Sequence, residues 1–296
     1  MIMKKQRIDE SELILNPDGS IYHLHITPDQ VADDVIVVGD PGRVPMVSQY
    51  FEYVKFKTQN RELVTHTGTL LGGKRITVIS TGMGTDNIDI VLNELDALAN
   101  IDFESRTIKD THRTLNVIRI GTSGSLQADV PVGSYVMGTY GLGFDGLMNF
   151  YDVDDTVIDR ELTEAFIKHS NWLPQCARPY AVQCSPMLEE KIGGDKMIKG
   201  ITASASGFFG PQGRILRLNV ADPAMHDKLQ TFNYKGQRIL NFEMETSALY
   251  GLGKALGHNT LSVCLTIANR VNHTYLSDYY IPINKLIQAV LLALLE

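Results

Sequence analysis

The chain has 296 residues, of which 44% are hydrophobic and 21% are charged, and its formal net charge is -7. This length suffices for one large α/β domain with a buried core, whereas the acidic balance argues against general nucleic-acid binding, which requires a basic face. A small anionic substrate is not excluded, because a few local arginines can override the global field.

The cysteine content and the chain's ends bear on its location. Cys176, Cys184 and Cys264 form no metal-binding pattern and are too few for a disulfide framework, which favours a reducing compartment. The first twenty residues turn polar and acidic where a signal peptide would be apolar, so we expect 1–20 to be an N-terminal extension. No stretch reaches the roughly 18 apolar residues of a membrane span. We therefore expect a cytoplasmic protein without a membrane partner.

Apolar runs rich in valine and isoleucine predict strands that are covered on both faces. In chain order these runs are Val35–Gly39, Arg75–Gly82, Asn116–Gly121, Gly133–Gly138 and Leu261–Ile267. Helical spacing of apolar residues over Asn87–Ala99, Glu243–Leu256 and the terminal Ile283–Leu295 predicts helices. This alternation predicts a single α/β domain over residues 1–296, with a central sheet flanked by helices. The polar segment Ile101–Thr114 is interpreted as a surface elaboration, and Phe144–Asp159 is left unassigned.

The segment Gly39-Asp-Pro-Gly-Arg43 follows the first predicted strand. In open α/β sheets, ligands bind beyond the carboxyl ends of strands, and glycine lets backbone amides approach a ligand closely. One interpretation is an ordinary tight turn. The other is a loop whose amides and Arg43 hold an oxyanion.

Arg119 lies inside an apolar strand and is followed by Gly121 and Thr122. A buried arginine is costly unless it is paired, so one interpretation is an ion pair with a core carboxylate. The alternative is a phosphate cradle, in which the guanidinium acts together with the hydroxyl and a free backbone amide. We favour the ligand interpretation.

Glu243, Met244 and Glu245 stand directly before apolar residues at helical spacing. Acidic residues are favoured near helix N-termini, so a capping role is one interpretation. The other is a carboxylate that accepts two hydrogen bonds from the vicinal hydroxyls of a sugar, with the methionine packed beneath it.

Taken together, these motifs give the chain a recognisable signature. It resembles the nucleoside phosphorylase I family, and within it the uridine phosphorylases, from about Tyr22 to Arg270. The matching motifs, in order, are Gly39-Asp-Pro-Gly-Arg43, Ser80-Thr-Gly-Met-Gly84, Arg119-Ile-Gly-Thr-Ser-Gly124, Asn241-Phe-Glu-Met-Glu245 and Ile267-Ala-Asn-Arg270. The resemblance implies a mixed, partly barrel-like sheet and a nucleoside phosphorylase that needs inorganic phosphate and no organic cofactor.

The resemblance also implies roles for matched positions. The residues expected to bind phosphate are Gly39, Arg43, Arg119 and Thr122, joined by Arg61 from a neighbouring subunit. The residues expected to hold the ribose are Glu243, Met244 and Glu245, joined by His23 across the same interface. The protein is thus expected to be a homo-oligomer with shared active sites, either a dimer or a hexamer of dimers.

One segment, residues 202–214, is similar to the pyrimidine pocket of uridine phosphorylases. There Phe208 would stack on the base, Gln212 and Arg214 would read its edge, and Arg270 would support Arg214. A glutamine amide offers one donor and one acceptor, which suits uracil, and an arginine at O4 would stabilise the charge that develops there. Purine enzymes of the family usually place an acid near the position of Asn269, so the sequence favours a pyrimidine. A surface turn is the alternative for 210–214.

Some relatives hold a monovalent cation at a subunit interface through a glutamate, a backbone carbonyl and a serine. Here Glu62 and Met83 match, whereas Asn87 stands where the serine would be. Other histidines show no metal-ligand spacing and are interpreted as surface or locally bonded residues: His66, His112, His169, His226, His258 and His273. The aromatic segment Tyr275–Tyr280 is interpreted as packing.

Three functions remain open from the sequence. The favoured one is phosphorolysis of uridine, with other pyrimidine nucleosides as further substrates. The second is a purine nucleoside phosphorylase or a nucleosidase on the same fold. The third, ranked lowest, is a non-catalytic nucleoside-binding protein with a degenerate site, since Arg43, Arg119 and Glu245 are all retained.

Overall fold

The computed structural model describes residues 6–295, in which strands and helices alternate. The described helices are α1 (Arg43–Ser48), α2 (Thr85–Asn100), α3 (Arg160–Ser170), α4 (Pro186–Ile192), α5 (Met225–Thr231), α6 (Thr246–Ala255) and α7 (Tyr280–Leu295). The described strands are β1 (Asp34–Val38), β2 (Tyr53–Asn60), β3 (Leu63–Thr69), β4 (Arg75–Ser80), β5 (Ile101–Asp102), β6 (Thr107–Ile108), β7 (Asn116–Ser125), β8 (Tyr135–Gly143), β9 (Tyr180–Gln183), β10 (Met197–Ser204), β11 (Asn233–Tyr234), β12 (Gln237–Glu243), β13 (Asn259–Asn269) and β14 (Thr274–Tyr275).

The main sheet is mixed, and its centre closes on itself. The strand order is β11-β12-β10-β8-β13-β7-β1-β4-β3-β2, and β12 also pairs with β7. That additional antiparallel pairing joins the two ends of the run β12-β10-β8-β13-β7, so these five strands form a closed barrel. The α/β class and the central, partly barrel-like sheet flanked by helices are therefore confirmed.

Barrel closure corrects two predicted strand boundaries. β7 continues past Gly121 to Ser125, and β8 begins at Tyr135 and runs on to Gly143. The extra residues pair with β12 and β10, respectively, within the barrel. The added residues of β7 are all small or polar, and glycines interrupt those of β8, so the apolar runs that predict helix-covered strands stop short of them.

The helix predicted from Glu243 begins at Thr246 instead, because Glu243 is the last residue of β12. Its carboxylate accepts hydrogen bonds from the backbone amides of Glu245 and Thr246 at 3.0 Å, which holds the chain in a turn before α6 begins. The terminal helix α7 packs into the main core, as predicted. No helix within residues 6–295 is long and apolar enough to cross a bilayer.

The segment Ile101–Thr114 is more than a surface elaboration. It contains the β5–β6 hairpin, and the buried Arg106 donates hydrogen bonds to the backbone carbonyls of Ile8, Asp9 and Leu13. A buried guanidinium needs such partners, so the hairpin ties the N-terminal segment to the body. The extension predicted over 1–20 lies partly outside the described residues.

Candidate active site

A cavity of about 890 Å³ lies at the carboxyl ends of β1, β4, β7, β12 and β13. Its volume falls within the roughly 300–1,000 Å³ of small-molecule sites. All but two of the residues singled out from the sequence line it: Gly39, Arg43, Glu62, Met83, Asn87, Arg119, Thr122, Phe208, Gln212, Arg214, Glu243, Met244, Glu245 and Arg270. The ends of these strands and the loops that follow them thus bring together motifs that are far apart in sequence, as ligand binding beyond strand carboxyl ends anticipates.

Arg119 forms the charged floor of this cavity together with two carboxylates. Its Nη1 lies 3.3 Å from Glu243 Oε2, and its Nη2 donates to Glu245 Oε2. Burial by itself would lower the pKa of Arg119, but Glu245 and Glu243 raise it above the usual value, so the guanidinium stays charged. Burial raises the pKa of Glu243, and Arg119 opposes that shift.

One hydrogen-bond donor of Arg119 is unused. Arg119 Nε is buried and has no hydrogen-bond partner within the described chain. A Cβ on Gly121 would lie 1.9 Å from Arg119 Nη1, so the guanidinium can fold over the backbone only because residue 121 is a glycine. The ion-pair interpretation of Arg119 is therefore confirmed, and the carboxylates in that pair themselves face the cavity.

The two glutamates differ in their backbone contacts. Glu243 accepts from the backbone amides of Glu245, just before α6, and of Thr246, its first residue, so the interpretation of an acid at the helix N-terminus is confirmed. Glu245 instead accepts from the backbone amide of Gly84 at 2.8 Å, which links α6 to the loop after β4. Because both carboxylates line the cavity, either one also remains a candidate for binding sugar hydroxyls.

Arg43 stands at the start of α1 beside the same cavity. Its Nη1 donates to the carbonyl of Ile120 at 3.2 Å, and the side chain is buried. Burial lowers the pKa of Arg43, and the neighbouring Arg119 lowers it further. Arg43 forms no ion pair with a carboxylate in the part of the chain described, so an anion between the two arginines would offset their repulsion.

At the other end of the cavity, three side chains form one unit. Arg214 Nη1 donates to the carbonyl of Phe208 and to Gln212 Oε1, each at 2.6 Å, and its guanidinium carbon lies 3.7 Å from the centre of the Phe208 ring. The Gln212 side chain is only 3% exposed. Burial lowers the pKa of Arg214 to about 10, with Arg270 adding to the shift. The turn at 210–214 therefore faces the cavity.

Arg270 is expected to support Arg214, and its contact with Arg214 is indirect, through the turn that carries Arg214. Two guanidinium groups have no acceptor between them, so they cannot hydrogen-bond to each other. Arg270 Nη1 instead donates to the backbone carbonyl of Gln212 at 3.4 Å. Arg270 therefore supports the turn, while its charge makes Arg214 a weaker base.

His23 and Arg61 are the two singled-out residues that lie outside the cavity. Arg61 occupies the β2–β3 turn with a φ of 53°, and the adjacent Asn60 donates to the His23 carbonyl at 2.9 Å. His23 Nδ1 lies 2.6 Å from Glu94 on α2. The structure thus brings these two residues near each other, and neither of them lines the cavity of its own chain.

The residues singled out for a cation meet at the cavity rim. Asn87 Nδ2 donates to Glu62 Oε1 at 3.4 Å, and the exposed Met83 lies beside them. Residues 6–295 contain no group of three or more His, Cys, Asp or Glu side chains that could hold a metal ion. Any ion here would therefore depend on carbonyl and amide oxygens as well as on Glu62.

Sequence reasoning missed two tyrosines. Tyr275 and Tyr279, interpreted as packing residues, both line the cavity. Tyr275 belongs to β14, which pairs with the end of β13 near Arg270. Their position just after the last barrel strand was the available signal, because loops at that end carry ligand contacts.

A family model described as the phosphorylase superfamily matches residues 33–290. The chain belongs to the phosphorylase superfamily. A uridine phosphorylase of Thermococcus kodakarensis is 30% identical over 260 residues, which cover 87% of this chain and 80% of that protein. A DeoD-type purine nucleoside phosphorylase of Shewanella frigidimarina is 29% identical, with 84% and 86% covered.

Solved structures agree with this assignment to the phosphorylase superfamily. A nucleoside phosphorylase of Trypanosoma brucei, described as showing uridine phosphorylase activity, superposes with a TM-score of 0.85 at 30% identity. The match covers 96% of this chain and 99% of that one. The resemblance found from the sequence is thereby confirmed.

Proposed function

We propose that this phosphorylase superfamily member is a pentosyltransferase that converts uridine and phosphate to uracil and ribose 1-phosphate. The main observation is the arrangement of Phe208, Gln212 and Arg214, which offers an aromatic ring and polar groups at one end of the cavity. Arg43 and Arg119 lie at the other end. The relatives described as uridine phosphorylases support the same substrate.

The proposed nucleophile is phosphate, held by Arg43, Arg119, Thr122 and the backbone at Gly39. One phosphate oxygen forms a bond to the anomeric carbon while the bond from that carbon to N1 of uracil breaks. The electron pair leaves with the base, and the sugar passes through a cationic transition state. Fixing the nucleophile in place supplies much of the acceleration, and no covalent enzyme intermediate is needed.

The proposed role of the base-reading residues is to favour the departing anion. Charge from N1 spreads onto the uracil oxygens, where Arg214 and the amide of Gln212 can donate. These contacts strengthen as the bond breaks, so they stabilise the transition state more than bound uridine. The uracil anion then takes a proton from solvent. Phe208 has 51% of its surface exposed, and the ring face that Arg214 does not cover is proposed to stack on the base.

A purine substrate is the second candidate, since purine nucleoside phosphorylases are also among the relatives. Asn269 argues against it. The buried side-chain amide of Asn269 donates through Nδ2 to the carbonyls of Gln127 and Val130 at 2.9 Å. Its Oδ1 accepts from the backbone amides of Val271 and Asn272. With its donors and acceptor engaged, Asn269 cannot take part in protonating a purine. A nucleosidase would have no use for the arginine pair.

Three further features belong to the proposal. His23 and Arg61 lie together outside their own cavity, which supports a homo-oligomer, a dimer or a hexamer of dimers, in which they complete the partner's site. Glu62, Met83 and Asn87 would hold a monovalent cation at the rim. The three unpaired cysteines suit a cytoplasmic enzyme of pyrimidine salvage.

The test is cleavage of uridine, thymidine and inosine, each with and without phosphate, followed by absorbance. Uridine cleavage that requires phosphate is the expected result. Preferred cleavage of inosine would overturn the uracil assignment of Phe208, Gln212 and Arg214. Cleavage without phosphate would overturn the phosphorylase assignment in favour of a nucleosidase.

A further inference from the structure

The base-reading segment, residues 207–214, is held together mainly by its own hydrogen bonds. The amides of Gln212 and Arg214 donate to the carbonyl of Phe209 at 3.1 and 2.8 Å, and the amide of Gly213 donates to Gly210. These bonds fix the shape of the turn, but they do not fix its position relative to the cavity. Its placement against the cavity depends on contacts with the rest of the protein.

The Gln212 carbonyl makes the contacts that anchor this segment. It accepts from His226 Nε2 at 2.9 Å and from Arg270 Nη1 at 3.4 Å. The His226 bond is the shorter of the two. The His226 ring also packs closely against the turn, since a Cβ on Gly213 would lie only 2.8 Å from the ring. Gly213 has a φ of 67°, a conformation that favours glycine.

His226 is itself fixed to the protein body. It lies on α5, whose Leu229 is fully buried in a hydrophobic cluster that also contains Phe166 and Phe242. The charged groups that face His226 are Arg270 after β13, Arg214 in the base-reading segment and Asp227 on its own helix. Burial lowers the pKa of His226 and Arg270 lowers it further, so the ring is neutral at pH 7. A carbonyl can only accept, so the proton resides on Nε2.

We propose that His226 is a positioning residue for uracil recognition, which holds Gln212 and, through it, Arg214 at the base end of the cavity. This inference rests on the proposed function. His226 does not line the cavity, so it acts through the Gln212 backbone and not on the substrate. Selectivity for the base then depends on a hydrogen bond from α5 as well as on the residues that touch uracil.

The test compares His226→Leu, which has no donor, with His226→Gln, whose amide can reach the same carbonyl. His169→Leu is the matched control, because His169 Nε2 likewise donates to a backbone carbonyl, that of Lys228 on α5, at 3.0 Å. Loss of this partly buried hydrogen bond predicts that His226→Leu raises KM for uridine about tenfold and leaves KM for phosphate unchanged. We expect His226→Gln to restore most of the affinity.

Amide hydrogen exchange provides a readout that does not require activity. We expect faster exchange in residues 207–214 for His226→Leu than for the wild type or His169→Leu. Unchanged exchange there, or equal effects of both leucine variants on stability and on both KM values, would overturn the positioning role. If the wild type fails to cleave uridine, the proposed function falls, and the exchange comparison alone decides the role of His226.

Discussion

Arg119 on β7 donates to the carboxylate of Glu245, the residue before α6, and both side chains are buried at the floor of the cavity. The pair links a residue proposed to bind phosphate with a residue proposed to bind ribose. Removing Arg119 would leave both Glu245 and Glu243 desolvated without a counter-ion, which makes Arg119 important for stability as well as for binding.

Replacing Arg119 with Met is therefore expected to lower both activity and stability. The proposed phosphate contact is lost, so phosphorolysis should fall by at least about a thousandfold. The uncompensated carboxylates should cost about 3–5 kcal/mol of unfolding free energy at pH 7. Steady-state kinetics and urea unfolding measure the two effects separately.

The double variant Arg119→Met, Glu245→Gln separates these effects, because it removes one of the two buried carboxylate charges that Arg119→Met leaves without a partner. Part of the lost stability should return, while activity should not. If Arg119→Met were as stable as the wild type, the ion-pair account would be contradicted. If the double variant regained activity, the proposed phosphate role of Arg119 would be contradicted.

Replacing Arg214 with Ala should weaken discrimination between nucleosides. Without the guanidinium, charge on the departing uracil is less stabilised, so kcat/KM for uridine should fall about a hundredfold while KM for phosphate stays the same. Arg217→Ala is the matched control, since Arg217 is an exposed arginine three residues further along the same loop. An unchanged ratio of uridine to inosine cleavage in Arg214→Ala would argue against base reading.

Shared active sites predict complementation between two inactive variants. Arg61→Ala would damage the partner's site, whereas Arg43→Ala would damage its own. In a mixed dimer one of the two sites is then intact. Random mixing makes about half of the dimers mixed, so it should restore about a quarter of wild-type activity. The measurement is activity after the two purified variants are unfolded together and refolded. No recovery, with heterodimers demonstrated, would place Arg61 outside the site.

Stability should fall with acid through two histidines. Burial lowers the pKa of His226, helped by Arg270, and burial lowers that of His66, helped by Lys57, from the ordinary value of 6.5. Below that value the unfolded chain binds more protons than the folded one, so stability is fully present above pH 6.5 and is lost as pH falls through the lowered values. Urea unfolding between pH 8 and pH 5 should show this decline.

The variants His226→Gln and His66→Gln check the assignment of that decline, because glutamine does not titrate. Each should flatten the pH dependence between pH 6.5 and pH 5 relative to the wild type. A decline of the same slope in both variants would assign the acid sensitivity to other groups.

Much of the fold was predictable because its signals are local. Continuous apolar runs identified five strands, since a strand covered on both faces needs apolar side chains throughout. Helical spacing located α2, α6 and α7 for the corresponding reason. The prediction failed at the ends of β7 and β8 and at the start of α6, where pairing across the barrel and the Glu243 carboxylate set the boundaries.

The sequence by itself determined the α/β class, the family and the residues that gather at the cavity, because apolar periodicity and ordered motifs are properties of neighbouring residues. Only the tertiary structure decided that Arg119 meets Glu245, 126 positions away, and that His226 rather than Arg270 makes the shorter bond to Gln212. Those contacts follow from barrel closure and helix docking, which depend on register between distant segments and leave no local pattern in the chain.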